Sequence, residues 1–232
     1  MNPTSAAPVA VALDAPDLET AAAWAEAVTP YVSTVKVGLE LYCRYGPDAV
    51  ATVRGGSRVD LFLDLKLHDI PATISGAVRA VSALRPAYLT VHAVGGAAMI
   101  RAAAEAAPDI CIAAVTVLTS LGEADLDALG LAGPSLDAAR RLSVLAVGAG
   151  ARALVCSPHE VAAVRAEVGA DIKLVTPGVR PAGTDAQDQA RVATPRAALD
   201  AGADLLVIGR PITAARDPGA AAQSIARDLR QR

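Results

Sequence analysis

Short runs rich in Val, Leu and Ile alternate along the whole chain with longer, Ala-rich amphipathic stretches. The short runs fall at 9–14, 34–39, 61–66, 88–93, 111–118, 153–157, 173–176 and 205–209, and predict eight strands, each followed by a helical stretch. Cap chemistry marks several helix starts. Ser157-Pro158-His159-Glu160 has the form of a capping box with Pro at the first helical position, and Pro71 after Ile70 and Pro195 after Thr194 are placed alike. Gly169 and Gly202 close helices before the next strand. Eight β-then-α units with no linker-like tract between them predict an α/β fold: one (β/α)8 TIM barrel over 9–232, behind an N-terminal tail of residues 1–8. An open, doubly wound sheet is the other arrangement, because periodicity does not register closure.

Alternation within the strands decides which side chains face inward. In the third run Leu61, Leu63 and Leu65 share one face, and Asp60, Phe62, Asp64 and Lys66 the other. The leucine face is expected against the helices, which turns Asp64 and Lys66 into the barrel mouth. The same reading puts Val35, Val37 and Leu39 outward and Lys36 inward, and puts Ala10, Ala12 and Asp14 inward. Four ionisable groups thus converge at the end of the barrel where such folds carry their chemistry.

Composition supports the fold and removes some functions. Apolar residues make up 53% of the 232 positions but aromatics only 3%, so the core must be built from Ala, Val, Leu and Ile, as buried parallel sheets are. A formal charge of −3 with few aromatics offers neither a basic footprint nor stacking platforms, so no nucleic-acid partner is expected. Cys43, Cys111 and Cys156 are odd in number and in no metal-ligand spacing; they read as reduced packing thiols of a cytoplasmic protein. The N-terminal residues lack the pattern of a signal peptide, and no apolar run is long enough to span a membrane.

Lysine is scarce. Of 21 basic side chains only Lys36, Lys66 and Lys173 are lysines, and an ammonium, unlike a guanidinium, can give up a proton. Lys36, Asp64, Lys66 and Asp69 form either a catalytic array or an ion-pair network filling a polar barrel end; spacing alone leaves both open. Lys173 opens the seventh strand at the opposite end and reads as a surface residue. Thr176-Pro177-Gly178-Val179-Arg180 after the seventh strand and Ile208-Gly209-Arg210-Pro211 after the eighth occupy the usual phosphate seat of such barrels. His92 and His68 read as hydrogen-bonding supports, and His159 as exposed.

Asp64-Leu65-Lys66-Leu67-His68-Asp69-Ile70-Pro71-Ala72-Thr73 resembles the DxKxxD signature of the orotidine 5′-phosphate decarboxylase family. The resemblance extends in order through Val11-Ala12-Leu13-Asp14, Lys36-Val37-Gly38, Val117-Leu118-Thr119-Ser120, Pro177-Gly178-Val179-Arg180-Pro181, Asp188-Gln189-Ala190-Arg191-Val192 and Val207-Ile208-Gly209-Arg210-Pro211-Ile212-Thr213, covering about 9–218. It implies decarboxylation of orotidine 5′-phosphate to UMP in pyrimidine biosynthesis, without cofactor or metal, by a homodimer with shared sites. Lys36, Asp64 and Lys66 would form the charged array with Asp69 of the other subunit, and Lys66 would protonate C6. Asp14 and Lys36 would hold the ribose, with Thr73 from the other chain. Thr119 would contact the pyrimidine, Arg180, Gly209 and Arg210 the phosphate, and Gln189 would close over it. Ala72 departs from the family's usual Asn. The rivals are a related Mg²⁺-dependent sugar-phosphate decarboxylase or synthase, which typically carries an acidic residue where Lys36 stands, and a non-catalytic phosphate-binding barrel.

Overall fold

Eight parallel strands pair in sequence order, and the last returns to the first. They are β1 (Ala7–Ala12), β2 (Val32–Val37), β3 (Asp60–Leu67), β4 (Tyr88–His92), β5 (Cys111–Val115), β6 (Ala153–Val155), β7 (Lys173–Thr176) and β8 (Leu205–Ile208). The structure, a computed structural model, describes residues 6–131, 133–180 and 193–231. Closure is carried by the β1–β8 pairing, with Val9, Ala10 and Val11 opposite Leu206, Val207 and Ile208. That closure excludes the open sheet and leaves the (β/α)8 barrel.

Side-chain alternation produces two apolar layers. Ala10, Phe62, Ala113, Ala153, Val175 and Leu205 fill the barrel interior, where three alanines make room for Phe62 and its edge-on contact with Tyr88 at 5.8 Å. Leu61, Leu63 and Leu65, with Val35 and Val37, face outward into the larger layer beneath the helices, as the alternation predicts. One large ring amid small aliphatic side chains is how a chain with few aromatics still fills its barrel.

Helix entries follow the cap chemistry. The helix Pro71–Ser82 starts at its proline, as does Pro195–Asp200, where Thr194 Oγ1 accepts the Ala197 N–H at 3.2 Å. Gly169 adopts φ +75° at the end of Val161–Val168, and Gly202 adopts φ +108° just past Pro195–Asp200. The capping box is only half formed. Glu160 Oε2 accepts the Ser157 N–H at 2.9 Å, but 158–160 form a turn and the helix begins at Val161. In that turn the Glu160 N–H bonds to the Ser157 carbonyl at 3.0 Å, so the hydroxyl loses its donor and is buried without a partner among the described residues.

Several strands end earlier than their alternation suggests. β2 ends at Val37, and Leu39, expected outward on the strand, instead opens the helix Leu39–Tyr45 and is 47% exposed. β1 ends at Ala12, so Asp14 lies beyond it. β5 ends at Val115 rather than 118 and β6 at Val155 rather than 157. Alternation reports the facing of side chains, which persists past the last ladder hydrogen bond. Among the described residues no helix is long and apolar enough to cross a membrane.

Candidate active site

The site begins with a distortion of β3. Its register against β4 shifts between Leu63 and Leu67, and Lys66 takes φ +47°, a left-handed conformation that costs a non-glycine residue about 1 kcal/mol. In this bulge the Lys66 ammonium lies 2.9 Å from both oxygens of Asp64, two residues back on the same face. Lys36, at the mouth end of β2, approaches Asp64 Oδ2 at 3.3 Å and Asp14 Oδ1 at 3.5 Å. From β4, the Thr90 hydroxyl accepts the Lys66 N–H at 2.8 Å and donates to Asp64 Oδ1 at 3.0 Å.

Asp64 is buried, which pushes its pKa up, but Lys36 and Lys66 beside it, with the hydrogen bonds from Lys66 and Thr90, outweigh burial and hold it below the usual carboxylate range. It is therefore charged at neutral pH. His92, inward at the end of β4, is held below the ordinary imidazole value by burial first, then by His68, whose ring lies 5.7 Å away, and by Lys66. A neutral ring adds no further cation. The approach of Asp14 to Lys36 also explains Gly38: a Cβ there would lie 2.5 Å from Asp14 Oδ1 and 2.8 Å from Lys36 Nζ.

The charged cluster forms the floor of a two-part cleft. One part, about 490 Å³, runs from Asp14, Lys36 and Asp64 to Gly178 and Arg180 after β7 and to Gly209 and Arg210 after β8. The other, about 190 Å³, is walled by Phe62, Val115, Val117, Val155 and Cys156 and reached by Lys66 and Thr119. Both parts are lined by Asp64, Pro177 and Val207, so they meet above the carboxylate. Gly178 has φ +75°, a glycine-compatible conformation where the β7 loop turns across the mouth. This layout suits an anionic group held at one end and a flat, partly apolar ring at the other, with the Lys/Asp cluster at their junction.

Of the residues singled out in the sequence, Asp14, Lys36, Asp64, Lys66, Thr119, Arg180, Gly209 and Arg210 line this cleft. Asp69 and Thr73 line neither part. Both are exposed, and the Asp69 carboxylate accepts the neighbouring Ile70 N–H at 2.6 Å and forms no ion pair among the described residues. Ala72 is exposed on the first turn of the same helix. Gln189 lies outside the described residues. Lys173, at the foot of β7, is exposed and 3.4 Å from Asp204. His159 is exposed, and Cys156 is buried with its thiol pushed up to about 12, an inert packing group. Sequence reasoning missed Thr90 and Glu40, which also lines the larger part of the cleft. The signal for Thr90 was its inward position on a strand, where a buried hydroxyl must find partners.

Fold and site together define a (β/α)8 barrel with a two-part cleft over a lysine–aspartate cluster, the layout of a barrel enzyme. The profile of the orotidine 5′-phosphate decarboxylase / HUMPS family matches residues 7–225. The chain is 71% identical over 226 residues to orotidine 5′-phosphate decarboxylase of Thermobifida fusca, covering 97% of each chain. It is 59% identical to the enzyme of that name from Frankia casuarinae, covering 98% of this chain and 89% of the relative. Among solved structures, orotidine 5′-phosphate decarboxylase from Lactobacillus acidophilus superposes with a TM-score of 0.83 at 33% identity, covering 96% of this chain and 99% of the other. The chain belongs to the orotidine 5′-phosphate decarboxylase / HUMPS family.

Proposed function

We propose that the chain decarboxylates orotidine 5′-phosphate to UMP, with Lys66 as the proton donor. The observation that carries this reading is the Lys66 ammonium, bonded to both Asp64 oxygens at the junction of a ring-sized apolar pocket and an arginine-lined one. Breaking the bond between C6 and the carboxylate releases CO2 and leaves the electron pair on C6, with no adjacent electron sink. A fixed positive charge must stabilise that pair, and a proton must then fill it; Lys66 does both. Asp64 holds the Lys66 ammonium in place through both its oxygens and stands close to the departing carboxylate.

Phosphate is assigned to Arg180, Gly209 and Arg210, with Gln189 closing over it, the pyrimidine to Thr119, and the ribose to Asp14 and Lys36. Binding energy from the phosphate, remote from C6, is realised in the transition state. Asp69 and Thr73 complete the site of a second copy in a homodimer; their exposure at the mouth and absence from their own cleft support this. A cytoplasmic location belongs to the same reading, supported by three free cysteines. Lys36 stands where a Mg²⁺-dependent relative needs an oxygen ligand, so the reaction proceeds without metal. The test is release of CO2 and formation of UMP from orotidine 5′-phosphate after exhaustive chelation. Activity lost with EDTA and restored by Mg²⁺ would move the assignment to the sugar-phosphate enzymes, and a chain that binds the nucleotide without turnover would be a binding barrel.

A further inference from the structure

We propose that Thr90 is a positioning residue of the reaction: its single hydroxyl fixes the backbone of Lys66 and the carboxylate of Asp64 relative to each other, and so aims the ammonium. This rests on the decarboxylase reading. Thr90 lies on the inward face of β4, is 1% exposed, and lines neither part of the cleft, so it does not touch substrate. Its oxygen accepts the Lys66 N–H at 2.8 Å while its proton goes to Asp64 Oδ1 at 3.0 Å. Both bonds are needed because of the bulge. Where β3 slips out of register with β4, the Lys66 N–H is off the regular ladder, and the strained φ of +47° persists only if something over-determines it. Thr90 supplies that constraint from the neighbouring strand, and the same atom orients the carboxylate that holds the ammonium. The two ends of the Lys66 residue, its backbone N–H and its Nζ, are thereby tied to one hydroxyl, directly and through Asp64.

A misaimed ammonium slows proton delivery but leaves the phosphate and ribose contacts intact, so the loss belongs in kcat and not in KM. Thr90→Val keeps the shape and removes both hydrogen bonds. Its kcat is expected to fall by roughly one to two orders of magnitude, the range for hydrogen bonds to charged groups, with KM within about twofold and an unchanged far-ultraviolet circular dichroism spectrum. Thr90→Ser, which restores the hydroxyl without the methyl, is expected to recover kcat to within about threefold of the parent. If Thr90→Val does not fold, Thr90→Cys takes its place, since a thiol of similar size is a poor donor and acceptor, and the same loss is expected.

A parent-like kcat in Thr90→Val, a loss seen in KM, or a Ser variant as slow as the Val variant would overturn the positioning role; the last would show that the methyl packing mattered. In each case a parent that still releases CO2 leaves the functional reading standing. A parent without decarboxylase activity overturns that reading and this role with it.

Discussion

On the proposed reading one side chain is positively charged at one moment and gives up its proton at the next, which lysine can do and arginine, otherwise dominant in the chain, cannot. Lys66 sits bonded to a carboxylate held ionised by two ammonium groups, which fixes where its ammonium stands in the cleft. Lys66→Ala is therefore expected to reduce kcat by at least about three orders of magnitude while UMP binding changes far less, the upper part of what acid–base and electrostatic groups each supply. Single-turnover kinetics with calorimetric UMP binding separates the two. Lys66→Arg should fare little better, since guanidinium keeps the charge but yields no proton. These residues were legible in the sequence because inward-facing charge on a barrel strand demands an explanation. Thr90 was not, since a threonine on a strand is ordinary, and only the bulge reveals what its hydroxyl holds.

At the scale of elements, the barrel's mouth and foot are secured by different means. The mouth is a bulged β3 and two glycine-bearing loops; the foot is laced by Arg165. This side chain, on the helix Val161–Val168, donates to the carbonyls of Gly169 at 2.6 Å, Ile172 at 2.7 Å and Gly202 at 2.9 Å, and to Asp204 at 2.5 Å. Asp204 in turn accepts the Leu174 N–H at 2.8 Å, so one guanidinium joins the starts of β7 and β8, whose far ends carry the arginine loops. Arg165→Ala is expected to lower unfolding stability by about 2 kcal/mol, leaving several carbonyls and a carboxylate without their donor. Urea denaturation should show it, with KM nearly unchanged because the foot touches no substrate. The order and number of the strands could be read from the sequence, since each βα unit repeats its own apolar pattern; the second helix that follows β2, β5 and β8 could not. The strand ends could not: the apolar run of β5 continues through Leu118 although the strand stops at Val115 and its last backbone bond to β6 is from Thr116, and Ser157 has the letters of a capping box while Glu160 N–H bonds to the carbonyl instead.

For the whole molecule, the separation of Asp69 and Thr73 from their own cleft gives a test of assembly. If each site takes Lys66 from one chain and Asp69 from its partner, then Lys66→Ala and Asp69→Ala chains, unfolded together and refolded in equal amounts, rebuild one intact site in every mixed dimer. Random pairing makes about half the dimers mixed, so about a quarter of the parental activity should return from two nearly inactive parents, given independent sites in a two-fold dimer. Recovery near zero, with mixed dimers verified by mass spectrometry, would confine Asp69 to its own chain. Eight consecutive βα units were open to sequence reasoning, whereas closure rests on the pairing of β1 with β8. A division of a site between copies is invisible to periodicity; the structure shows Asp69 and Thr73 exposed and outside their own cleft.

The distribution of the three lysines has a practical corollary. Lys36 is nearly inaccessible, with 8% of its side chain exposed, Lys66 inside the cleft is 30% exposed, and Lys173 stands 52% exposed at the foot of the barrel. A support that couples to side-chain amines therefore grips the molecule by its foot, and saturating the cleft with UMP during coupling guards Lys66. Immobilised through Lys173, the barrel presents its mouth away from the surface, an orientation that a lysine-rich chain would not enforce.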